Sequence, residues 1–393
     1  MKGLRGSKAM RLLALAAGLC ISMALLAACG GGGSDTSAAT EASGAGEATS
    51  EEAAGGEEAG VALAKERVEE ALAPIKFEPP GPSFEMSGNK GKTVYFIATT
   101  MAIPYVATLA EYVKEAGKAA GVNVVVYDGK ASAAEQDKGI QTAIAQKADG
   151  IILQAVDPSL VANSVKAAEA AGIPIIDANN GQPDDPNPPG VFGHVTPSTE
   201  KEGRLQIDYA VSKDGENVSG AMINAPFFTV YKARVPAMEE ELEEVCPSCE
   251  FNVIDTDPTK PTSVPQAVSA GLKQHPNTNW VFPAFDSEMP LVSEGIKLNG
   301  ATKTIKIVGS DNTPEQLAEL SDPSSPFEAD VGNNVGWQGW AEIDLIGRAM
   351  AGEEPVSYEL PLRMFTKESP ADDPEGNWTG IDYAKEFEKL WGV

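Results

Sequence analysis

What most restricts the fold of this chain is a rhythm of short apolar segments alternating with longer amphipathic ones, beginning at Lys92. TVYFIA (93–98), VNVVVYD (122–128), GIILQA (150–155) and IPIIDA (173–178) are rich in β-branched and aromatic residues, as strands buried on both faces are. Between them, Pro104 to Ala120 places Val106, Leu109, Ala110, Val113 and Gly117 on one helical face. Ser132 and Glu135 have capping-box spacing, and Asp157-Pro158 reads as a cap and first helical residue. The rhythm repeats as helix 198–212, strand 218–224, helix 230–245, strand 250–255, helix 262–274, strand 279–284, helix 287–298 and strand 304–309. Parallel strands need helical crossovers of this length, so the pattern predicts α/β architecture in two doubly wound units.

Ahead of this body lies a segment of different character. Residues 1–11 carry Lys2, Arg5, Lys8 and Arg11, and Leu12 to Ala28 then run apolar without a break. A basic stretch followed by a short apolar one reads as a secretory signal, the alternative being a membrane anchor at the short limit of a span. Leu26-Ala27-Ala28-Cys29-Gly30 has the form of a bacterial lipobox, which predicts a signal peptide over 1–28 and a lipidated Cys29. Two or more acyl chains on one cysteine give stable membrane anchoring. Residues 29–91 then read as an acidic Gly/Ala/Ser/Glu tether, a short helix over 61–75 and the Pro-rich linker FEPPGPSF. The tether reaches roughly 30 Å.

Charge and composition narrow the function. With 57 Asp+Glu and 30 Lys+Arg the chain carries −27, and removing residues 1–28 with their four cations leaves −31. Such a surface repels phosphate backbones, so no nucleic-acid partner is expected. No helix-turn-helix precedes residue 92. Two histidines, His194 and His275, leave little for a metal site or a Ser-His-Asp centre. Without a phosphate-binding glycine loop after a strand, no nucleotide cofactor is expected either.

In open α/β sheets, ligands bind outside the carboxyl ends of the strands. There the sequence sets Tyr105, Asn179, Asn180, Phe285, Asp286, Asp311, Asn333 and Trp337. Carboxamides and carboxylates suit hydroxyl groups, and aromatic rings pack on the apolar face of a sugar-like ring.

ADGIILQAVDPS (148–159), AAGIPIIDANN (170–180), IVGSDNTPE (307–315) and AGEEP (351–355) occur in the order found in type I periplasmic binding proteins of sugar ABC transporters. The chain resembles this family over residues 92–365, nearest its ribose-binding-like group. The resemblance implies two Rossmann-like lobes joined by a three-crossing hinge, with a ligand enclosed as the lobes close. It implies a first lobe of 92–195 plus about 334–362 and a second of 196–333 plus about 363–393. Asp311 then falls on a hydroxyl-binding Asp, Arg234 on a second-lobe Arg, Asn333 on a hinge amide and Tyr105 on a stacking aromatic. Ile103, Val106 and Asn179-Asn180 depart from the family's Asn, second aromatic and Asp-Arg. The implied function is an extracytoplasmic, lipid-anchored, monomeric solute receptor that passes a sugar or polyol to an ABC permease. A sensory receptor for a nucleoside, furanose signal or less polar ring is the alternative, and a lipoprotein hydrolase a third class. No catalytic residue or metal ligand is expected.

Cys246-Pro247-Ser248-Cys249 has redox-motif spacing, but follows Glu239, Glu240, Glu241, Glu243 and Glu244 at a helix carboxyl end, which opposes a reactive thiolate. In an exported protein the pair predicts a structural disulfide.

Overall fold

The computed structural model describes residues 47–300, 305–374 and 377–393. The signal segment and Cys29 lie outside them. The elements, in chain order, are α1 (Glu47–Leu72), β1 (Thr93–Ala98), α2 (Pro104–Ala120), β2 (Asn123–Asp128), α3 (Ala133–Ala145), β3 (Gly150–Gln154), α4 (Ala162–Ala170), β4 (Ile175–Ala178) and β5 (His194–Pro197). There follow α5 (Thr199–Asp214), β6 (Ser219–Asn224), α6 (Arg234–Val245), β7 (Glu250–Asp255), α7 (Val264–Gln274), β8 (Trp280–Pro283), α8 (Met289–Asn299), β9 (Lys306–Ser310), α9 (Pro314–Glu319) and β10 (Phe327–Gly332). The chain ends with α10 (Val335–Ala351), β11 (Tyr358–Leu360), β12 (Arg363–Thr366) and α11 (Tyr383–Trp391).

Two six-stranded sheets form, ordered β2-β1-β3-β4-β5-β11 and β7-β6-β8-β9-β10-β12. The first is parallel throughout, and in the second only β12 runs antiparallel, against β10. The same winding occurs twice, giving two lobes as the rhythm predicts. Central strands β1 and β3 are almost wholly buried, whereas the edge strands β2 and β7 are partly exposed. Helix α4 begins at Ala162 rather than at Pro158, because the Asp157 carboxylate accepts from the Ser159 N–H (2.8 Å) in a local turn instead of capping the helix. Ser132 takes the N-cap position of α3 without a capping hydrogen bond from its side chain.

The three expected hinge passages are present: after β5, after β10 and between β11 and β12. The termini add two more. Helix α1 is far longer than the expected 61–75 and lies on the second lobe, where Ala64 and Val68 are buried beside Ile207 and Val245. Its Arg67 pairs with Glu241 and, at 2.9 Å, with Glu244. The following residues return to the first lobe, where Phe84 and Met86 join its core and approach Gly347 of α10. The tail crosses in the same direction. Trp378 lies edge-on to Phe365 in the second lobe, but α11 packs on α2 and α10. Residues 383–391 therefore belong with the first lobe, not the second as expected. The cause is the apolar face of α11: Phe387 and Trp391 are fully buried, and each contributes about 2–3 kcal/mol on leaving water.

Cys246 and Cys249 are placed as a bonded pair with Cα atoms 5.4 Å apart, in the turn between α6 and β7. Among the described residues no helix is long and apolar enough to cross a membrane, and no cluster of three His, Cys, Asp or Glu side chains could hold a metal ion.

Candidate functional site

A small cavity of about 50 Å³ lies between the lobes, and its wall is assembled from the carboxyl ends of strands. From the first lobe come Thr99 after β1, Gln154 at the end of β3 and Asn179 after β4. From the second come Phe228 and Tyr231 after β6, Phe285 after β8, Asp311 after β9 and Asn333 after β10. Parallel winding brings all these ends to one side of each sheet, and the two sheets present them to each other.

Two of these positions are held in unusual backbone. Asp311 has φ 122° and Asn179 has φ 55°, the left-handed region that side-chain-bearing residues rarely occupy. Asp311 can sit there because Gly332 gives way to it: a Cβ on Gly332 would lie 2.6 Å from the Asp311 backbone. Strain of order 1–3 kcal/mol persists where the surrounding structure over-determines it, and such positions cluster at binding sites.

The polar groups of the wall are poorly satisfied by the protein. Gln154 is fully buried, yet among the described residues neither its Oε1 nor its Nε2 has a partner, and Asn179 Oδ1 has none. Leaving such atoms bare costs about 1–3 kcal/mol each, which a hydrogen-bonding guest recovers. Asp311 accepts only from the Asp286 N–H, at 3.3 Å among the described residues. Desolvation, then the nearby Asp286 and Glu202 charges, push its carboxyl well above the ordinary range. The hinge side is better tied. Tyr105 donates from its hydroxyl to Gln338 Oε1 (2.6 Å), Asn333 Nδ2 donates to the Tyr105 oxygen (3.3 Å), and Gln338 Nε2 donates to Glu342 (2.8 Å). Burial holds Glu342 at about 8. Tyr231 and Phe285 stack at 6.1 Å, with Phe228 edge-on to both.

Of the positions singled out in the sequence, Tyr105, Asn179, Phe285, Asp311 and Asn333 line the cavity. Four others do not. Asn180 accepts from Thr229 Oγ1 of the second lobe (2.9 Å) and donates to the Val156 carbonyl (3.1 Å), so it joins the lobes. Asp286 accepts from the N–H groups of Ser310 (3.1 Å) and Thr313 (2.9 Å), fixing the turn that carries Asp311 and the start of α9. Trp337 is buried in the first lobe, its Nε1 donating to the Tyr358 hydroxyl at 2.6 Å. Arg234 is fully buried behind the wall, donating to the Ala284 carbonyl (2.8 Å), to Ser310 Oγ (3.1 Å) and to Glu202. Sequence reasoning passed over Gln154, Glu202 and Tyr231. Gln154 closes a strand in the quoted ADGIILQAVDPS segment and was within reach of the strand-end rule. Glu202 and Tyr231 stand within helix-like sequence, where nothing marks the face that meets the cavity.

A wider vestibule of about 450 Å³ lies beside the cavity, and Ile103, Phe228 and Phe285 line both. Half-exposed Phe227 stands in it, opposite Asp128 and Lys130 of the first lobe.

Comparison with known proteins agrees with the two-lobed fold. The profile of the periplasmic binding protein domain matches residues 94–354. The ribose import binding protein RbsB of Escherichia coli K12 is 23% identical over 287 residues, which cover 70% of this chain and 91% of that protein. A Mycobacterium smegmatis protein solved in complex with β-D-fucofuranose superposes with TM-score 0.64 at 20% identity, covering 77% of this chain and 98% of its own. The Caulobacter myo-inositol binding protein, bound to myo-inositol, gives 0.62 at 17% identity over 78% and 99%.

Proposed function

This chain belongs to the periplasmic binding protein domain family, in its type I, ribose-binding-like branch, and from that premise we propose that it is the lipid-anchored receptor of an ABC importer for a sugar or polyol. It is a binding protein rather than an enzyme, and it works outside the cytoplasm. Cys29 carries the anchor, Cys246 and Cys249 are oxidised to a disulfide, and the monomer delivers its ligand to a permease. The observation that carries the reading is a cavity between two lobes whose wall holds unpartnered amide atoms and a strained, desolvated carboxylate, flanked by aromatic rings. Related proteins point the same way: one is a ribose import binding protein, and two others are bound to β-D-fucofuranose and to myo-inositol.

Mechanism follows from size and from the inter-lobe bonds. About 50 Å³ holds roughly three to five waters, less than a monosaccharide of about a dozen heavy atoms. Entry therefore requires the lobes to separate. Asn180–Thr229 and Gln182 Nε2 to the Val230 carbonyl (3.3 Å) then re-form across the gap. Hydroxyls of the guest satisfy Gln154, Asn179 and Asp311 together only when both lobes reach it, so the ligand favours the closed form by differential affinity. The aromatic vestibule supports a second reading, a guest with a further ring such as a nucleoside. Mass spectrometry of the compound that copurifies, followed by a thermal-shift screen of sugars, polyols and nucleosides, tests both. A chemically altered guest, or none among these classes, would overturn the proposal.

A further inference from the structure

Resting on the reading of the cavity as a sugar or polyol site, the second lobe shows which guests it can accept. Arg234, a cation behind the wall, is engaged by the protein. Its guanidinium donates to Glu202, Ser310 Oγ and the Ala284 carbonyl and lies 4.8 Å from the Tyr231 ring centre, while its Nε has no partner among the described residues. Glu202 reaches it from the first turn of α5, whose N-terminal end faces the cavity. Only one oxygen of Glu202, Oε2, is engaged, by Arg234 and by Ser310 Oγ at 3.4 Å. Among the described residues no hydrogen bond reaches Glu202 Oε1 or Asp311 Oδ1. The wall thus presents two carboxylates and no Lys, Arg or His.

We propose that Glu202 is the specificity-determining residue of the cavity: by sequestering Arg234 and lining the wall beside Asp311, it admits neutral or amine-bearing polyhydroxylated guests and excludes sugar acids. A hydroxyl or ammonium group donates to a carboxylate, whereas a guest carboxylate placed there meets Asp311 and a Glu202 already paired to Arg234, with no further cation on the wall to receive it in a desolvated space. Like-charge juxtaposition of this kind is how a site rejects a partner that otherwise fits.

The test begins with a thermal-shift screen of ribose, allose, galactose and myo-inositol. The best binder is then compared by calorimetry with its acid and its amino-deoxy counterparts. Wild-type protein is expected to bind the acid at least 100-fold more weakly than the neutral parent, and the amine within tenfold of it. Glu202→Gln should reduce the discrimination against the acid at least tenfold, since Arg234 is then free to turn to it. Equal wild-type affinity for acid and parent, or an unaltered ratio in Glu202→Gln, overturns the proposal while the receptor reading stands. Failure of every neutral compound to bind refutes the sugar or polyol reading and this proposal with it. Should Glu202→Gln not fold, the same ratio is measured in wild type from pH 8.5 to 5.5. Glu202 faces Arg234 of α6, Asp311 after β9, Asp286 of the preceding turn, Tyr105 and Tyr231, and burial raises it to about 7. Exclusion of the acid should relax as pH falls, and a flat ratio overturns the proposal.

Discussion

Replacing Asp311 by Asn keeps the side-chain shape and tolerates the left-handed backbone, but removes the charge that the cavity holds out of water. A carboxylate that accepts from two guest hydroxyls makes two charge-assisted hydrogen bonds, each worth about 1.5–3 kcal/mol. Asn keeps one accepting oxygen and sets a donor where the other stood, so about 2–4 kcal/mol is lost, or roughly 30- to 800-fold in affinity. With ligand at about 1,000 times the wild-type Kd, binding adds about 4.1 kcal/mol of stability, and roughly 2–4 °C of Tm per kcal/mol gives a wild-type shift of about 8–16 °C. In Asp311→Asn the same ligand concentration should give half of that or less. The apo protein behaves in the opposite sense. Because burial, Asp286 and Glu202 raise the Asp311 carboxyl in the folded state, its ionisation penalises folding increasingly as pH climbs from the unfolded value near 4 toward the raised one. Asn cannot ionise, so apo Asp311→Asn should be at least as stable as wild type at pH 8, and should lose less Tm between pH 5 and pH 8. Scanning calorimetry with and without ligand reads both quantities. A full ligand-induced shift, or an apo variant less stable than wild type at pH 8, refutes the reasoning.

Asn180→Ala removes the bond to Thr229 across the lobes and should weaken ligand binding roughly five- to tenfold, as about 1 kcal/mol of closure is lost. Small-angle scattering with ligand should show a larger open fraction, and an unchanged profile and affinity would deny Asn180 this role. Arg67→Ala leaves buried Glu241 with its pairing to Arg204 and takes the Arg67 partner away from buried Asp208. Partly exposed pairing sets the cost at about 1–3 kcal/mol in urea unfolding. Desolvation and Glu241 raise Asp208 to about 9, so the deficit should widen as pH rises through that value; a pH-independent deficit contradicts the account. The proposed Cys246–Cys249 disulfide would close a loop with a sequence separation of only 3, so replacing both cysteines by Ser should cost no more than about 2 kcal/mol. Ligand affinity should be unaffected, and a large change in it would mean that the pair serves the site.

Local sequence was enough to set the alternation of strand and helix, the two doubly wound units and the strand ends that wall the cavity. These are local quantities: apolar runs, helical periodicity and the residue that follows each strand. Tyr105, Asn179, Phe285, Asp311 and Asn333 were legible for that reason. Tertiary structure alone decided which of the neighbouring groups faces the cavity. Asn179 lines it while Asn180, one residue on, turns to the other lobe, and Asp286 serves the turn that carries Asp311. It also decided that Glu202, far from Arg234 in sequence, holds its guanidinium, and that α1 and α11 cross to the lobes they cover. Such outcomes depend on which partners meet across the fold and on how desolvated charges are compensated, and neither is written in a residue's own neighbourhood along the chain.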